Sequence, residues 1–256
     1  MSRANNDNPG LNYRYNEQQR SNLDSSKSFR TILSFRPAVS VSATETCWSG
    51  TPGLYVFPTV ASQMKISSSS TEDNASGTGC RLLNIEYLDS NYDEQNETII
   101  PTGQTEILTV ATDILRIQRI TCLSSGSTGS CVGSVYIGIG TVTTGVPATI
   151  YDLITPLGTT SMTGIFTIPK GYRAYVEQMV SAVSVGKGVK ASYSFRPFGG
   201  NTFIEGGSFN IITDILFNFT TLGSISERTD IMIKGKTTSG SASDLDFNFT
   251  ISLYKL

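Results

Sequence analysis

The stretch Asp246-Phe247-Asn248-Phe249-Thr250-Ile251-Ser252-Leu253 decides the fold class. Its polar and apolar residues alternate strictly, so an extended chain places all the aromatic and aliphatic side chains on one face. Short runs rich in Val, Ile, Thr, Tyr and Phe recur from residue 47 onward, separated by Gly, Pro, Asn and Ser, with no convincing helical period. The sequence therefore predicts an all-β fold.

Strands at this spacing predict an antiparallel β-sandwich, jelly-roll-like, and an up-and-down barrel is the alternative architecture. Two hairpins are expected, one joining residues 172–185 to 189–195 and one joining 229–235 to 244–254, because glycine-rich loops separate the strands of each pair. The segment Pro169-Lys170-Gly171 predicts a tight turn that opens a long strand, since proline fixes φ and glycine accepts positive φ.

Residues 1–45 differ from the rest of the chain in being rich in Asn, Ser, Gln and Arg. Such a polar segment buries too little apolar surface to fold alone. We therefore expect an extended or flexible N-terminal arm over 1–45 and a single β-sandwich domain over 46–256. Aromatic and arginine residues dominate interface energies, so those along the arm are the expected interface anchors: Tyr13, Arg14, Tyr15, Phe29, Arg30, Phe35 and Arg36.

The charge balance argues against a nucleic-acid partner. With 19 Lys and Arg against 21 Asp and Glu, the net charge is −2, and no Lys/Arg run exceeds two residues. No stretch approaches the roughly 18 apolar residues of a membrane span, so no membrane contact is expected. The N-terminal residues show no apolar h-region, so secretion through a signal peptide is not expected and folding in a cytoplasm is favoured.

Catalysis is not expected, and the protein is predicted not to be an enzyme. Histidine, the commonest general base and metal ligand, is absent. The acidic residues are interleaved with Asn, Gln and Ser as in a solvated loop, rather than arranged as a calcium loop; they are Glu86, Asp89, Asp93, Glu94 and Glu97.

The four cysteines, Cys47, Cys80, Cys122 and Cys131, contain no C-x-x-C pair, so neither a metal site nor any other cofactor is expected. Cys122 and Cys131 flank a Ser/Gly-rich segment, and a disulfide between them is compatible with a hairpin base. A reducing cytoplasm favours free, buried thiols instead.

Trp48 precedes Tyr55 and Phe57 in a segment that could form an exposed platform for sugar rings. Burial of these aromatics in a core or subunit interface is the favoured interpretation.

Seven stretches of the chain carry a recognisable pattern. They are TPGLYVFPTVAS (51–62), SSSTEDNASGTG (68–79), LNIEYLD (83–89), ETIIPTG (97–103), FTIPKGY (166–172), FRPFGG (195–200) and ERTDI (227–231). These stretches resemble a group of virion structural proteins of environmental, especially aquatic, tailed bacteriophages. The resemblance runs from about residue 50 to the end, and neither the cysteines nor the arm belongs to it. It implies an all-β particle component outside the head or at the tail, often oligomeric.

Together these observations predict a non-enzymatic virion structural protein, a capsid decoration, cement or head–tail connecting component attached by its arm. The alternative is a fibre or tail module that recognises a host-surface glycan. The expected partners are other capsid or tail proteins and further copies of the chain. A homo-oligomer is expected, with a trimer favoured. Only 16% of the residues are charged, so we expect part of the polar, Gly-rich surface to be buried against other subunits in the assembled protein.

Overall fold

The computed structural model describes residues 27–34, 54–183, 188–212, 215–218, 223–238 and 245–256. Within these ranges the regular structure consists of strands, and every strand pairing is antiparallel. The predicted all-β fold is confirmed.

The strands form four sheets. One sheet has the order β1 (Lys27–Ser34), β15 (Leu245–Lys255), β10 (Tyr172–Val183), β13 (Ile215–Asn218). A second has the order β12 (Ile204–Ile211), β11 (Val189–Arg196), β14 (Asp230–Thr237), β9 (Ile165–Thr167). A third has the order β5 (Ile107–Leu108), β2 (Lys65–Ser68), β7 (Val135–Thr143), β8 (Val146–Ile154). The fourth has the order β4 (Glu94–Ile99), β3 (Cys80–Asp89), β6 (Ile114–Ser125).

These sheets enclose two hydrophobic cores. The third and fourth sheets contribute Ile66, Ile137, Leu83 and Ile85 to one core, and we call this part the N-terminal sandwich. The first and second sheets contribute side chains such as Phe249 to the other core, in what we call the C-terminal sandwich. The sequence predicted a single sandwich over 46–256, and the described part of this region contains two hydrophobic cores. The domain boundary at residue 45 stays a prediction.

Both predicted hairpins are wrong. β10 pairs with β13 and β15, whereas β11, the next strand along the chain, pairs with β12 and β14 in the facing sheet. β14 and β15 are separated in the same way, by the core of the C-terminal sandwich. Consecutive strands can bury their apolar faces in one core from opposite sides, and alternation alone cannot distinguish that arrangement from a hairpin.

Other local predictions are confirmed. Phe247, Phe249, Ile251 and Leu253 of β15 are buried in one core, as their alternation requires. At the predicted turn, the N–H of Tyr172 donates to the Pro169 carbonyl at 3.3 Å, and β10 begins directly afterwards.

The predicted arm contains a strand. All eight residues of β1 pair antiparallel with β15, from Lys27 opposite Tyr254 to Ser34 opposite Phe247. β1 lies at the edge of its sheet. This part of the polar N-terminal segment therefore extends the sheet of the C-terminal sandwich.

Candidate functional sites

A buried ion cluster joins the two sandwiches. The carboxylate of Asp230 on β14 accepts hydrogen bonds from Arg116 of β6 at 2.9 and 3.2 Å and from Arg196 of β11 at 3.0 and 2.5 Å. The hydroxyl of Thr167 donates to the same carboxylate at 2.6 Å, and Arg116 also donates to the Pro58 carbonyl at 2.6 Å. One carboxylate thus links a strand of the N-terminal sandwich to strands of the C-terminal sandwich through charge-assisted hydrogen bonds.

Aromatic rings surround this cluster. The guanidinium of Arg116 lies 5.3 Å from the centre of the Phe57 ring, and that of Arg196 lies 4.9 Å from the rings of both Phe57 and Phe203. These contacts add cation–π attraction to the ion cluster. Phe57 and its neighbour Tyr55 are buried in the N-terminal core, so both are core anchors, as favoured from the sequence. Trp48 lies outside the described residues.

Three cysteines converge in the N-terminal sandwich. The sulfur atoms of Cys80, Cys122 and Cys131 all lie within 4.8 Å of one another. Cys80 and Cys131 are fully buried, and Cys122 is partly exposed. All three are free thiols in the structure, and the disulfide between Cys122 and Cys131 stays a prediction.

Backbone hydrogen bonds hold each cysteine in place. The buried carboxylate of Asp73 accepts from the N–H of Cys80 at 2.7 Å and from the N–H groups of Val132 and Gly133 at 3.0 and 2.9 Å. The segment 157–159 crosses the other two cysteines, and its carbonyls accept from the N–H groups of Cys131 and Cys122 at 3.0 and 2.7 Å. Hydrogen bonds of the backbone, rather than those of the sulfur atoms, therefore bring the three thiols together.

Two of the three thiols, those of Cys80 and Cys122, have raised pKa values in this environment. Burial raises the pKa of Cys122 to about 12. The hydrogen bond that the Cys80 thiol donates to Cys131, together with burial, raises the pKa of Cys80 above its ordinary value. Three adjacent thiols can bind a soft metal ion once deprotonated, or form a disulfide when oxidised.

Sequence spacing did not reveal this cluster. Cys80 and Cys122 lie 42 positions apart and meet because β3 and β6 are neighbours, with Leu83 opposite Cys122 and Cys80 opposite Ser125. Register shifts between Cys80 and Leu83 place the two cysteines diagonally across the strand pair. A search for adjacent Cys-x-x-Cys pairs misses a site that strand pairing assembles.

The predicted arm anchors are only partly described. Phe29 and Arg30 lie in β1, opposite Ser252 and Ile251 of β15. The others, Tyr13, Arg14, Tyr15, Phe35 and Arg36, lie outside the described residues. Their role as interface anchors stays a prediction.

The acidic residues singled out in the sequence lie on the β3–β4 hairpin, and several have structural partners. Asp89 accepts from the N–H groups of Asn91 and Asp93 at 2.8 and 3.0 Å, which closes the turn. Glu97 accepts from the N–H groups of Val110 and Ala111 at 3.2 and 3.0 Å.

The same hairpin lines an open cleft of about 500 Å³. Amide and carboxylate side chains of β3, β4 and β6 line it, together with Tyr87, which is itself buried in the N-terminal core. The amides are Asn84, Gln95, Asn96 and Gln118, and the carboxylates are Glu86 and Glu94.

In the part of the chain that the structure describes, no helix is long and apolar enough to cross a membrane.

No protein-family model matches the sequence, and no characterised protein matches it significantly. Among solved structures, weak similarity extends to a chain of the infectious bursal disease virus Gt strain, with 11% identity over 89% of this chain and 72% of that chain and a TM-score of 0.20. A chain of the VP2 subviral particle of infectious bursal disease virus shows 10% identity over 90% of this chain and 68% of that chain, with a TM-score of 0.22. At TM-scores this low, the similarity carries no argument about the function of this chain.

Proposed function

We propose that this chain is a non-enzymatic structural component of a bacteriophage virion, attached by its N-terminal arm as a capsid decoration, cement or head–tail connecting protein. The resemblance of the chain, from about residue 50 to the end, to virion proteins of tailed phages supports the class of particle. The observation that carries the mode of attachment is the pairing of β1 with β15 along eight residues.

That pairing is strand addition, in which backbone hydrogen bonds provide affinity with little dependence on side chains. Nineteen residues, 35–53, separate β1 from Leu54. A chain of that length spans at most roughly 60 Å when extended. The same eight residues can therefore reach the β15 edge of a neighbouring copy, and exchange of β1 around a ring would give the homo-oligomer, with a trimer favoured.

Residues before β1 would remain available for a different virion protein. Tyr13, Arg14 and Tyr15 combine aromatic surface with charge on an otherwise polar segment, which is the composition of interface anchors. Ordering the arm on binding costs entropy, so each copy should bind weakly and many copies on a particle should compensate.

The decisive experiment is localisation in intact phage particles by electron cryomicroscopy and labelling with antibodies raised against the recombinant chain. We expect density on the head or at the head–tail junction, with the β body outermost. Loss of occupancy in Tyr13→Ala/Tyr15→Ala, with full occupancy in the body variant Phe198→Ala as control, supports attachment by the arm. Absence of the chain from purified particles would overturn the proposal.

The open cleft beside Tyr87 favours one second candidate function, recognition of a host-surface glycan. The amide and carboxylate side chains that line this cleft suit the hydroxyl groups of a sugar. A glycan array tests this directly. Binding that Asn96→Ala abolishes, with particle density at a distal tail tip, would favour the recognition module over decoration.

A further inference from the structure

We propose that Cys80, Cys122 and Cys131 bind one Zn²⁺ ion through three thiolates, with water as the fourth ligand. This site is independent of the virion role and of the arm. It rests on the convergence of three thiols from separate chain segments on one point of the N-terminal sandwich.

The distances suit the metal. Zn–S bonds of about 2.3 Å in a tetrahedral site place sulfur atoms about 3.8 Å apart. The three sulfur atoms here lie within 4.8 Å of one another, so contraction by at most about 1 Å completes the geometry. Small side-chain rotations supply such a shift without moving the strands.

The backbone holds the ligands before any metal binds. Asp73 fixes the start of β3 at Cys80 and also holds Val132, the residue after Cys131. The segment 157–159 fixes Cys131 and Cys122 from the other side. At its start, Leu157 is 81% exposed and adopts φ 63°, a conformation that costs free energy for a side chain of this kind. Its N–H donates to the Cys131 carbonyl at 2.9 Å. This strained residue therefore helps to hold Cys131, one of the three proposed zinc ligands, in position.

Packing alone does not require this arrangement. A buried free cysteine normally behaves as a small apolar side chain. Three such side chains would fill a hydrophobic core equally well if their sulfur atoms lay far from one another. Thiolates select a soft or borderline ion such as Zn²⁺ over Ca²⁺ or Mg²⁺, which prefer oxygen ligands. Cys122 is partly exposed, which provides a path for the ion and a place for the water ligand.

Binding exchanges three S–H bonds for three Zn–S bonds and releases three protons to solvent, with no change in oxidation state. Zinc affinity should therefore fall as the pH is lowered. The bound ion would tie β3, β6 and the segment after β6 together and add to the stability of the N-terminal sandwich.

The experiment uses the full-length chain, purified with reductant, stripped with EDTA and titrated with Zn²⁺ against a chromophoric chelator. Co²⁺ substitution gives an independent readout of ligand type through its thiolate charge-transfer and tetrahedral d–d absorption bands. We expect one equivalent of Zn²⁺ and a Co²⁺ spectrum typical of three sulfur ligands. Cys122→Ser, at the most exposed position of the three, should keep the strand circular dichroism of the parent but lose at least tenfold in zinc affinity. Ser124→Ala, at an exposed position two residues along the same strand, is the matched control and should bind as the parent does.

Failure to bind a stoichiometric ion, or equal affinity in the parent and Cys122→Ser, would overturn the proposal. So would a disulfide between any two of these cysteines in protein isolated from a reducing cytoplasm, detected by mass spectrometry after alkylation. Should Cys122→Ser fail to fold, protection of the three thiols from alkylation by Zn²⁺ in the parent chain decides the question alone.

Discussion

Arg116 of the N-terminal sandwich and Asp230 of the C-terminal sandwich form a buried, bidentate ion pair, with N–O distances of 2.9 and 3.2 Å. Arg196 shares the same carboxylate, so two cations depend on one anion. Charges removed from water are tolerable only while they are paired.

Replacing Asp230 by Asn should therefore lower the free energy of unfolding by about 3 kcal/mol or more, because the buried guanidinium of Arg116 and the partly buried guanidinium of Arg196 lose their counter-ion. Glu106→Gln is the control, since it breaks the partly exposed pair with Lys65 at 2.8 Å. That change should cost less than about 1 kcal/mol. Urea unfolding followed by circular dichroism compares the two. Equal costs would show that the buried cluster does not hold the sandwiches together.

Two glycines with similar backbone conformations should differ sharply in their tolerance of alanine. Gly145 has φ 78° and Gly129 has φ 70°. A Cβ atom on Gly145 would overlap the carbonyl oxygen of Ser68, whereas one on Gly129 would meet nothing within 4 Å.

Gly129→Ala should therefore cost only the conformational penalty of positive φ, about 1 kcal/mol. Gly145→Ala should cost at least about 2 kcal/mol more, because the backbone must also shift. The unfolding midpoints of both variants test this directly. Similar midpoints would mean that the segment at Gly145 relaxes freely.

Alternation in β15 predicted the buried face of the C-terminal sandwich because Phe247, Phe249, Ile251 and Leu253 obey a purely local period. The partner of β15 was predicted incorrectly, since β14 and β15 bury their faces in the same core from opposite sheets. The cysteine cluster was missed for a related reason. Cys80 meets Cys122 only through the pairing of β3 with β6, which local spacing does not encode.

Asp152 should make stability depend on pH. It is 1% exposed on β8, and burial raises its pKa to about 7, although the charge of Arg119 partly opposes that shift. Between pH 4 and 7 the native state then holds a proton that the unfolded state has released. The contribution of this group to the free energy of unfolding therefore falls by about 1.4 kcal/mol per unit as the pH rises through that window.

Asp152→Asn removes this titration. The stability of the variant relative to the parent should therefore rise by on the order of 3 kcal/mol between pH 4 and pH 7.5. Urea unfolding at both pH values measures the difference. Asp113→Asn, which changes an exposed carboxylate, should follow the pH profile of the parent. A pH-independent difference between Asp152→Asn and the parent would show that Asp152 is ionised in the folded protein.

The last prediction concerns β1, which covers one edge of β15 along eight residues. Deleting residues 1–34 removes β1 and leaves the N–H and C=O groups along that edge of β15 without strand partners. We expect the unfolding midpoint to fall by at least about 5 °C and the protein to self-associate through the exposed edge. Deleting residues 1–26 preserves β1 and should leave the midpoint nearly unchanged.

A synthetic peptide of residues 27–34 distinguishes strand addition from a general effect of shortening the chain. It should bind the 1–34 deletion, raise its midpoint and suppress its association, because it restores the backbone hydrogen bonds along β15. The same peptide should not bind the 1–26 deletion, in which β1 already occupies the edge. If both deletions unfold at the midpoint of the full chain, β1 contributes nothing to the sandwich, and attachment by strand addition loses its structural basis.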